Sequence, residues 1–203
     1  KVFNYTPLSF EFDYPIAKAA ELALAEAHSA GVMTAFDSNY RFPYEDMKVY
    51  HAVQDAIYSA QILKLSQDDI RYFMKEENVF SACEKLLAGN AKIVAFTMGT
   101  SGSLLYTHKG WSYRPAYRVN ALDTTGAGDS FMGALIYLLT HETDNIEELS
   151  VLDLERIGDF CNACAAASTM RRGSLLVMPT LSQIEHVLKT APRIETQFDK
   201  IHK

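Results

Sequence analysis

The run Asp123-Thr124-Thr125-Gly126-Ala127-Gly128-Asp129-Ser130-Phe131 restricts the fold of this chain more than any other stretch. Thr124 and Thr125 are β-branched and favour an extended entry, residues 126–128 carry almost no side chain, and Phe131, Leu135, Ile136 and Leu138 then recur at helical spacing. The pattern predicts a strand, a tight glycine turn and a helix. The first N–H groups of a helix have no intrahelical acceptor and lie at the positive end of its dipole, so such a turn suits an anion. Asp129 falls in the first helical turn, where a carboxylate is favoured and can take a proton from a group approaching the same anion.

Counting residues separates this run from other glycine motifs. A dinucleotide fingerprint needs a third glycine where Phe131 stands, and Gly133 comes too late. A phosphate-binding P-loop needs Gly-Lys-Ser or Gly-Lys-Thr, which does not occur in the sequence. Gly128-Asp129-Ser130 also resembles the start of a GDSL-type esterase motif, with Asp199 and His202 spaced as activators of a Ser130 nucleophile. That motif has leucine in place of Phe131, sits near the start of its domain, and gives no reason for residues 123–127.

The run from Asp123 to Phe131 resembles the signature of the ribokinase-like sugar kinases, the phosphofructokinase B (PfkB) family. The resemblance implies a three-layer α/β/α fold with a largely parallel sheet and one antiparallel hairpin. It also implies ATP-dependent phosphorylation of a sugar or sugar-acid hydroxyl with Mg²⁺. In that reading Asp129 is the catalytic base, the amides of Gly126, Ala127 and Gly128 hold the phosphoryl oxygens, and Asp123 fixes the loop or a monovalent cation such as K⁺.

Further segments can be placed on predicted elements. Residues 2–12 read as a strand and a loop, and Asp13 with Pro15 as a helix start. Ile16, Ala19, Ala20, Ala23, Leu24 and Ala27 form one apolar helical stripe ending at Gly31. Residues 32–36 are a buried strand, after which Asp37-Ser38-Asn39-Tyr40-Arg41 resembles the Asp-Pro-Asn-x-Arg segment of the fructokinase and ketodeoxygluconate kinase branches, with Ser38 in place of proline. Asp37, Asn39 and Arg41 are thus candidates for substrate or phosphate, Arg41 as a fork donor or as a loop residue paired to Asp37 or Glu45.

A helix over about residues 46–60 leads to the strand 62–65. Lys64 in that strand either leans toward phosphates or lies at a sheet edge. Ser66 and Asp69 read as a helix cap; by resemblance they replace the family's Asn and Glu that organise Mg²⁺, with Asp69 acting through water. A third strand, 92–97, runs into Thr97-Met98-Gly99-Thr100-Ser101-Gly102, which resembles the family's turn near the ATP phosphates and makes Thr97, Gly99 and Gly102 nucleotide-site candidates. Residues 103–107 and 111–117 read as the hairpin. Residues 153–170 read as an alanine-rich helix on which Asn162 resembles an adenine-pocket position or is a solvent-facing or helix-capping residue. A last helix follows Pro179-Thr180. The catalytic core is expected over residues 1–190, with a weakly ordered tail over 191–203.

Among 203 residues the net charge is −6 and the basic run is Arg171-Arg172, which argues against sequence-independent nucleic-acid binding. The three cysteines suit buried helix positions in a reducing cytoplasm, and neither a membrane span nor a signal peptide is expected. Because the resemblance covers the family's C-terminal two-thirds and the first residue is Lys1, sequence upstream is expected, carrying much of the sugar pocket and a β lid that forms a homodimer contact. A nucleotide-binding remnant without turnover is the alternative to the kinase.

Overall fold

In the computed structural model, which describes residues 1–10, 15–39, 46–173, 175 and 178–196, the chain forms a mostly parallel six-stranded sheet with flanking helices. The strands lie in chain order: β1 (Val2–Tyr5), β2 (Met33–Asp37), β3 (Ile62–Ser66), β4 (Ile93–Thr97), β5 (Ser103–Thr107) and β6 (Gly110–Arg114). Helices α1 (Pro15–Ser29), α2 (Met47–Ser59) and α4 (Val79–Leu87) connect the early strands, and α3 (Gln67–Asp69) is a single turn after β3. Helices α5 (Ala127–His141), α6 (Val151–Thr169) and α7 (Leu181–Thr190) follow the sheet. The expected α/β class is therefore observed. The chain divides into two compact units, Lys1–Phe96 with Tyr106–His108, and Thr97–Leu105 with Lys109–Lys203.

In the first unit β1 pairs parallel with β2 and β2 with β3, in a register that sets Asp37 beside Lys64. Parallel strands covered on both faces read as continuous apolar runs, and Ala35, Phe36, Ile62 and Leu63 are fully buried. Val53 and Ile57 of α2 and Phe73 join that core. Each such Val, Leu, Ile or Phe side chain contributes about 1.5–3 kcal/mol relative to exposure. The expected stripe on α1 is less completely covered: Ala27 is buried, but Ile16 is 60% exposed. The partners of α1 include β2 and the edge strand β1, so the sheet beneath it ends close by.

In the second unit α6 packs on α5, α7 and β6. Phe131, Leu135 and Leu138 of α5 are buried, as are Leu154, Ile157 and Cys161 of α6 and Ile184 and Val187 of α7. Strand β6 stops at Arg114, earlier than expected, because Pro115 has no N–H to continue a ladder. No strand is described over residues 115–126, which corrects the predicted strand before the glycine turn. The N–H groups of Leu122 and Asp123 instead donate to the Thr169 carbonyl at the end of α6, at 2.8 and 3.2 Å. The tail is described as far as residue 196. Over residues 192–196 it is fastened: Arg118 N–H donates to Pro192 O and Ile194 N–H to Ala116 O, both at 2.8 Å, and Arg193 pairs with Asp159 at 2.7 Å. Asp159 also accepts from the Arg114 guanidinium at 2.5 and 2.8 Å.

Cys83, Cys161 and Cys164 are unpaired and buried on α4 and α6. Burial pushes the thiols of Cys83 and Cys164 up to about 12 and about 11, and that of Cys161 well above its ordinary value, so they remain inert packing groups.

The β4–β5 connection shows why two glycines of one turn are not equivalent. Gly102 has φ +97°, and a Cβ there would lie 2.1 Å from Arg114 O and 2.8 Å from Ala116 N. Gly99 has φ +56° with open space around it. Gly102→Ala is expected to cost more than about 3 kcal/mol and Gly99→Ala about 1–2 kcal/mol, the backbone strain alone. Urea midpoints check this; equal losses would contradict it.

Candidate active site

The α5 entry is built on Gly126, a left-handed N-cap with φ +80° and ψ 0°, a conformation that side chains with a Cβ adopt at a cost. Gly126 offers no side-chain cap; its carbonyl accepts from Ser130 N–H at 2.8 Å. Ala127 N–H donates to Thr124 O at 3.2 Å. The N–H of Gly128 has no protein acceptor among the described residues and remains available to a ligand. Asp129 stands exposed in the first turn, on the side of the dipole that favours its charge. The signature thus places three candidate amides and a carboxylate on consecutive residues.

Asp123 holds this entry by both carboxylate oxygens. Oδ1 accepts from Thr125 N–H at 2.9 Å and Oδ2 from Gly173 N–H at 3.1 Å. The Thr125 bonds, then the Gly173 N–H and the Arg172 charge, hold its carboxyl below the usual carboxylate range against a small opposing effect of desolvation. Both of these bonds run from Asp123 to backbone N–H groups.

At the carboxyl ends of the first unit's strands a second polar group is formed. Lys64 Nζ lies 2.6 Å from Asp37 Oδ1, with side chains 8% and 3% exposed. Lys64 is in an interior strand, which removes the sheet-edge reading. Asn39 N–H donates to the same Asp37 oxygen at 3.1 Å. Ser66 and Asp69 form a complete capping box: Asp69 Oδ2 accepts from Ser66 N–H at 2.6 Å and from its hydroxyl at 2.5 Å. Arg41 lies outside the described residues.

Thr97 ends β4, and the turn after it is closed by Met98 N–H to Gly102 O at 2.9 Å. Tyr113 donates its hydroxyl to Ser101 O at 2.6 Å. Asn162 is buried, and its amide nitrogen donates to Arg114 O at 2.9 Å, joining α6 to the end of β6. That structural use of Asn162, and the chain crossing over Gly102, are the features that sequence reasoning missed. No sequence signal marks either, since both depend on where residues 114–116 run.

Among the described residues no activating base stands at Ser130. Its side chain is buried, with the hydroxyl directed to Met178 Sδ at 3.2 Å, and a nucleophile needs a base at that distance instead. Asp199 and His202 lie outside the described residues.

Comparison with known proteins places these features in context. The sequence profile described as the pfkB family carbohydrate kinase matches residues 12–181. Fructokinase-2 of Solanum lycopersicum is 29% identical over 195 residues, covering 93% of this chain and 58% of that protein. The chain therefore spans about three-fifths of the length of such relatives. The aminoimidazole riboside kinase of Salmonella enterica, solved with aminoimidazole riboside and an ATP analogue, is 26% identical with a TM-score of 0.77, covering 93% and 63% of the two chains. A double mutant of the fructokinase of Vibrio cholerae O395, bound to fructose, ADP and a potassium ion, has a TM-score of 0.81 at 20% identity and shares the fold over 93% and 60%.

The lowered Asp123 pKa gives a pH test of the α5 entry. A depressed folded pKa means stabilisation that is present above the unfolded carboxylate value, about 4, and lost as pH falls through the lower folded value. The Tm loss in Asp123→Asn should be constant from about pH 6 to about pH 8 and shrink below about pH 4. A loss that stays constant through the acid range in thermal scans would contradict an ionic anchor.

Proposed function

Because this chain belongs to the pfkB family of carbohydrate kinases, we propose that it transfers the γ-phosphoryl group of ATP to a sugar hydroxyl, with fructose the first acceptor to test. The observation that carries this reading is the glycine entry to α5, with the open Gly128 amide and Asp129 in the same helical turn. In the reaction the acceptor oxygen gives its proton to the Asp129 carboxylate and forms a bond to the γ-phosphorus. The bond from that phosphorus to the β,γ-bridging oxygen breaks, and ADP leaves with the electron pair. The amides of Gly126, Ala127 and Gly128 donate to the phosphoryl oxygens as charge gathers there, Ala127 exchanging its bond to Thr124 O for one to the phosphoryl group, a task of positioning and electrostatics.

The nucleotide side is assigned to Thr97, Gly99 and Gly102, with Asn162 shaping the end of β6 through its bond to Arg114. Mg²⁺ accompanies ATP in such transfers and stabilises phosphoryl charge. Among the described residues no cluster of three or more His, Cys, Asp or Glu side chains is set to hold a metal. Asp69 is 2% exposed and spends an oxygen on its cap, which does not suit a hydrated ion, so no step is assigned to the metal. Asp123 is likewise engaged by two N–H groups, which disfavours it as a ligand for K⁺.

The fructokinase relative supports a sugar acceptor, and the riboside kinase makes a nucleoside the chief competitor. No described helix is long and apolar enough to cross a membrane, and the unpaired buried cysteines suit a reducing cytoplasm.

ADP release from Mg-ATP over a panel of sugars, sugar acids and nucleosides tests this function. Turnover with fructose is expected; ATP binding without ADP release on any acceptor would favour the nucleotide-binding remnant. With the accepted substrate, Asp129→Asn should lower kcat by about 10²–10⁴, the range for loss of a general base. Near-normal turnover would remove Asp129 from the chemistry.

A further inference from the structure

We propose that Gly133 is a specificity-determining residue: by carrying no side chain one helical turn beyond Asp129, it keeps clear the flank along which the acceptor reaches that carboxylate. The inference rests on the kinase reading above and deepens it within the same helix.

Position 133 lies inside α5, away from both ends of Ala127–His141. A glycine there loses more conformational freedom on folding than alanine would and weakens the helix, so its presence calls for a reason. The two usual reasons do not hold. Its backbone is helical, outside the left-handed region that favours glycine. A Cβ added to it would meet nothing within 4 Å among the described residues. Gly158 of α6 shows the contrast, since a Cβ there would lie 3.0 Å from Arg114 Cγ. Packing accounts for Gly158 and leaves Gly133 unexplained.

Helix geometry shows what the clearing serves. At about 100° and 1.5 Å per residue, position 133 sits about 40° around the helix from Asp129 and about 6 Å along it, but about 140° around from Gly128. Asp129 and Gly133 are both exposed, while residues 130–132, 134 and 135 are buried. Helical side chains lean toward the N-terminus, so a side chain at 133 would lie over the turn that bears Asp129 and not over the Gly128 amide. Tyr137, next in the row and 40% exposed, would lean over Gly133 by the same rule. Its ring instead stacks on His141 at 4.7 Å and stays beyond 4 Å of a Cβ at 133. Bare backbone therefore flanks Asp129. A hydroxyl carried on a sugar ring brings the bulk of the ring with it, and this flank leaves room for that bulk.

The test combines steady-state kinetics with thermal unfolding of Gly133→Ala and Gly133→Gln in the full chain, using the acceptor that turns over. Gly133→Ala should raise Tm by about 1–4 °C, because in open helical space the change restricts only the unfolded chain. It should also lower kcat/KM for the acceptor about threefold. Gly133→Gln brings a good helix former whose longer side chain reaches farther over Asp129. It should lower acceptor kcat/KM at least about tenfold and leave the ATP KM within about threefold. Stability and activity then move in opposite directions, which a purely structural role would not produce.

A lower Tm in Gly133→Ala would mean that another part of the protein packs on Gly133, and would overturn the proposal. Wild-type acceptor kinetics in Gly133→Gln would overturn it too, as would an ATP KM that rises as far as the acceptor KM. Should Gly133→Gln fail to fold, Gly133→Ala decides by the same two readouts. Absence of turnover by the wild type on any acceptor overturns the kinase reading and this inference together. Wild-type turnover with any of the contrary results overturns this inference alone.

Discussion

Asp123 places both carboxylate oxygens on backbone N–H groups, and the entry to α5 depends on that arrangement. A glycine in the left-handed region has no side chain to define its direction, so the shape of the turn has to come from elsewhere. Thr125 and Gly173 provide it by anchoring one carboxylate from two parts of the chain, while Leu122 and Asp123 bind the end of α6. The result is a helix start at which the Gly128 N–H is oriented before any ligand arrives. Preorganised donors cost no rearrangement at the moment of reaction, which is the general source of electrostatic catalysis.

The first unit solves a related problem with different chemistry. Its strands are apolar because both faces of the sheet are covered, so a lysine in β3 is tolerated only with a partner. Asp37 provides the opposite charge in register, and the pair's position at the strand ends turns a liability of burial into a brace for the following turn. Asp69 and Ser66 make a comparable closed set one strand further, where the carboxylate completes a helix cap. In both places charge is consumed internally. Polar residues at strand ends therefore need not all be ligands, even when a family pattern marks the segment as functional.

What was legible in the sequence follows from what periodicity encodes. The buried strands β2, β3 and β4 and the helices α5, α6 and α7 were readable because their apolar spacing reports a face, and the glycine signature because its small residues report a close approach. Partners across the chain were not readable. Thr124 and Thr125 announced an extended backbone but not that residues 122 and 123 would bond to Thr169 instead of a neighbouring strand. Gly102 looked like a ligand glycine, while its positive φ and the 2.1 Å at which an added Cβ would meet Arg114 O give it a packing role that no sequence pattern reports. Lys64 could be interpreted only once register placed Asp37 beside it. Residues 192–196 lost helical periodicity, yet an antiparallel bridge between Tyr117 and Arg193 and the arginine stacked 3.7 Å above the Tyr117 ring hold them without any sequence period.

The central claim is that the amides entering α5 bind the transferred phosphoryl group. Amide NMR of the full chain during titration with Mg-ATP analogue tests it most directly. The account predicts saturable shifts at Gly126, Ala127 and Gly128 that persist in Asp129→Asn, because removing the base should leave the cradle intact. Saturable binding that leaves those three signals in place would contradict it.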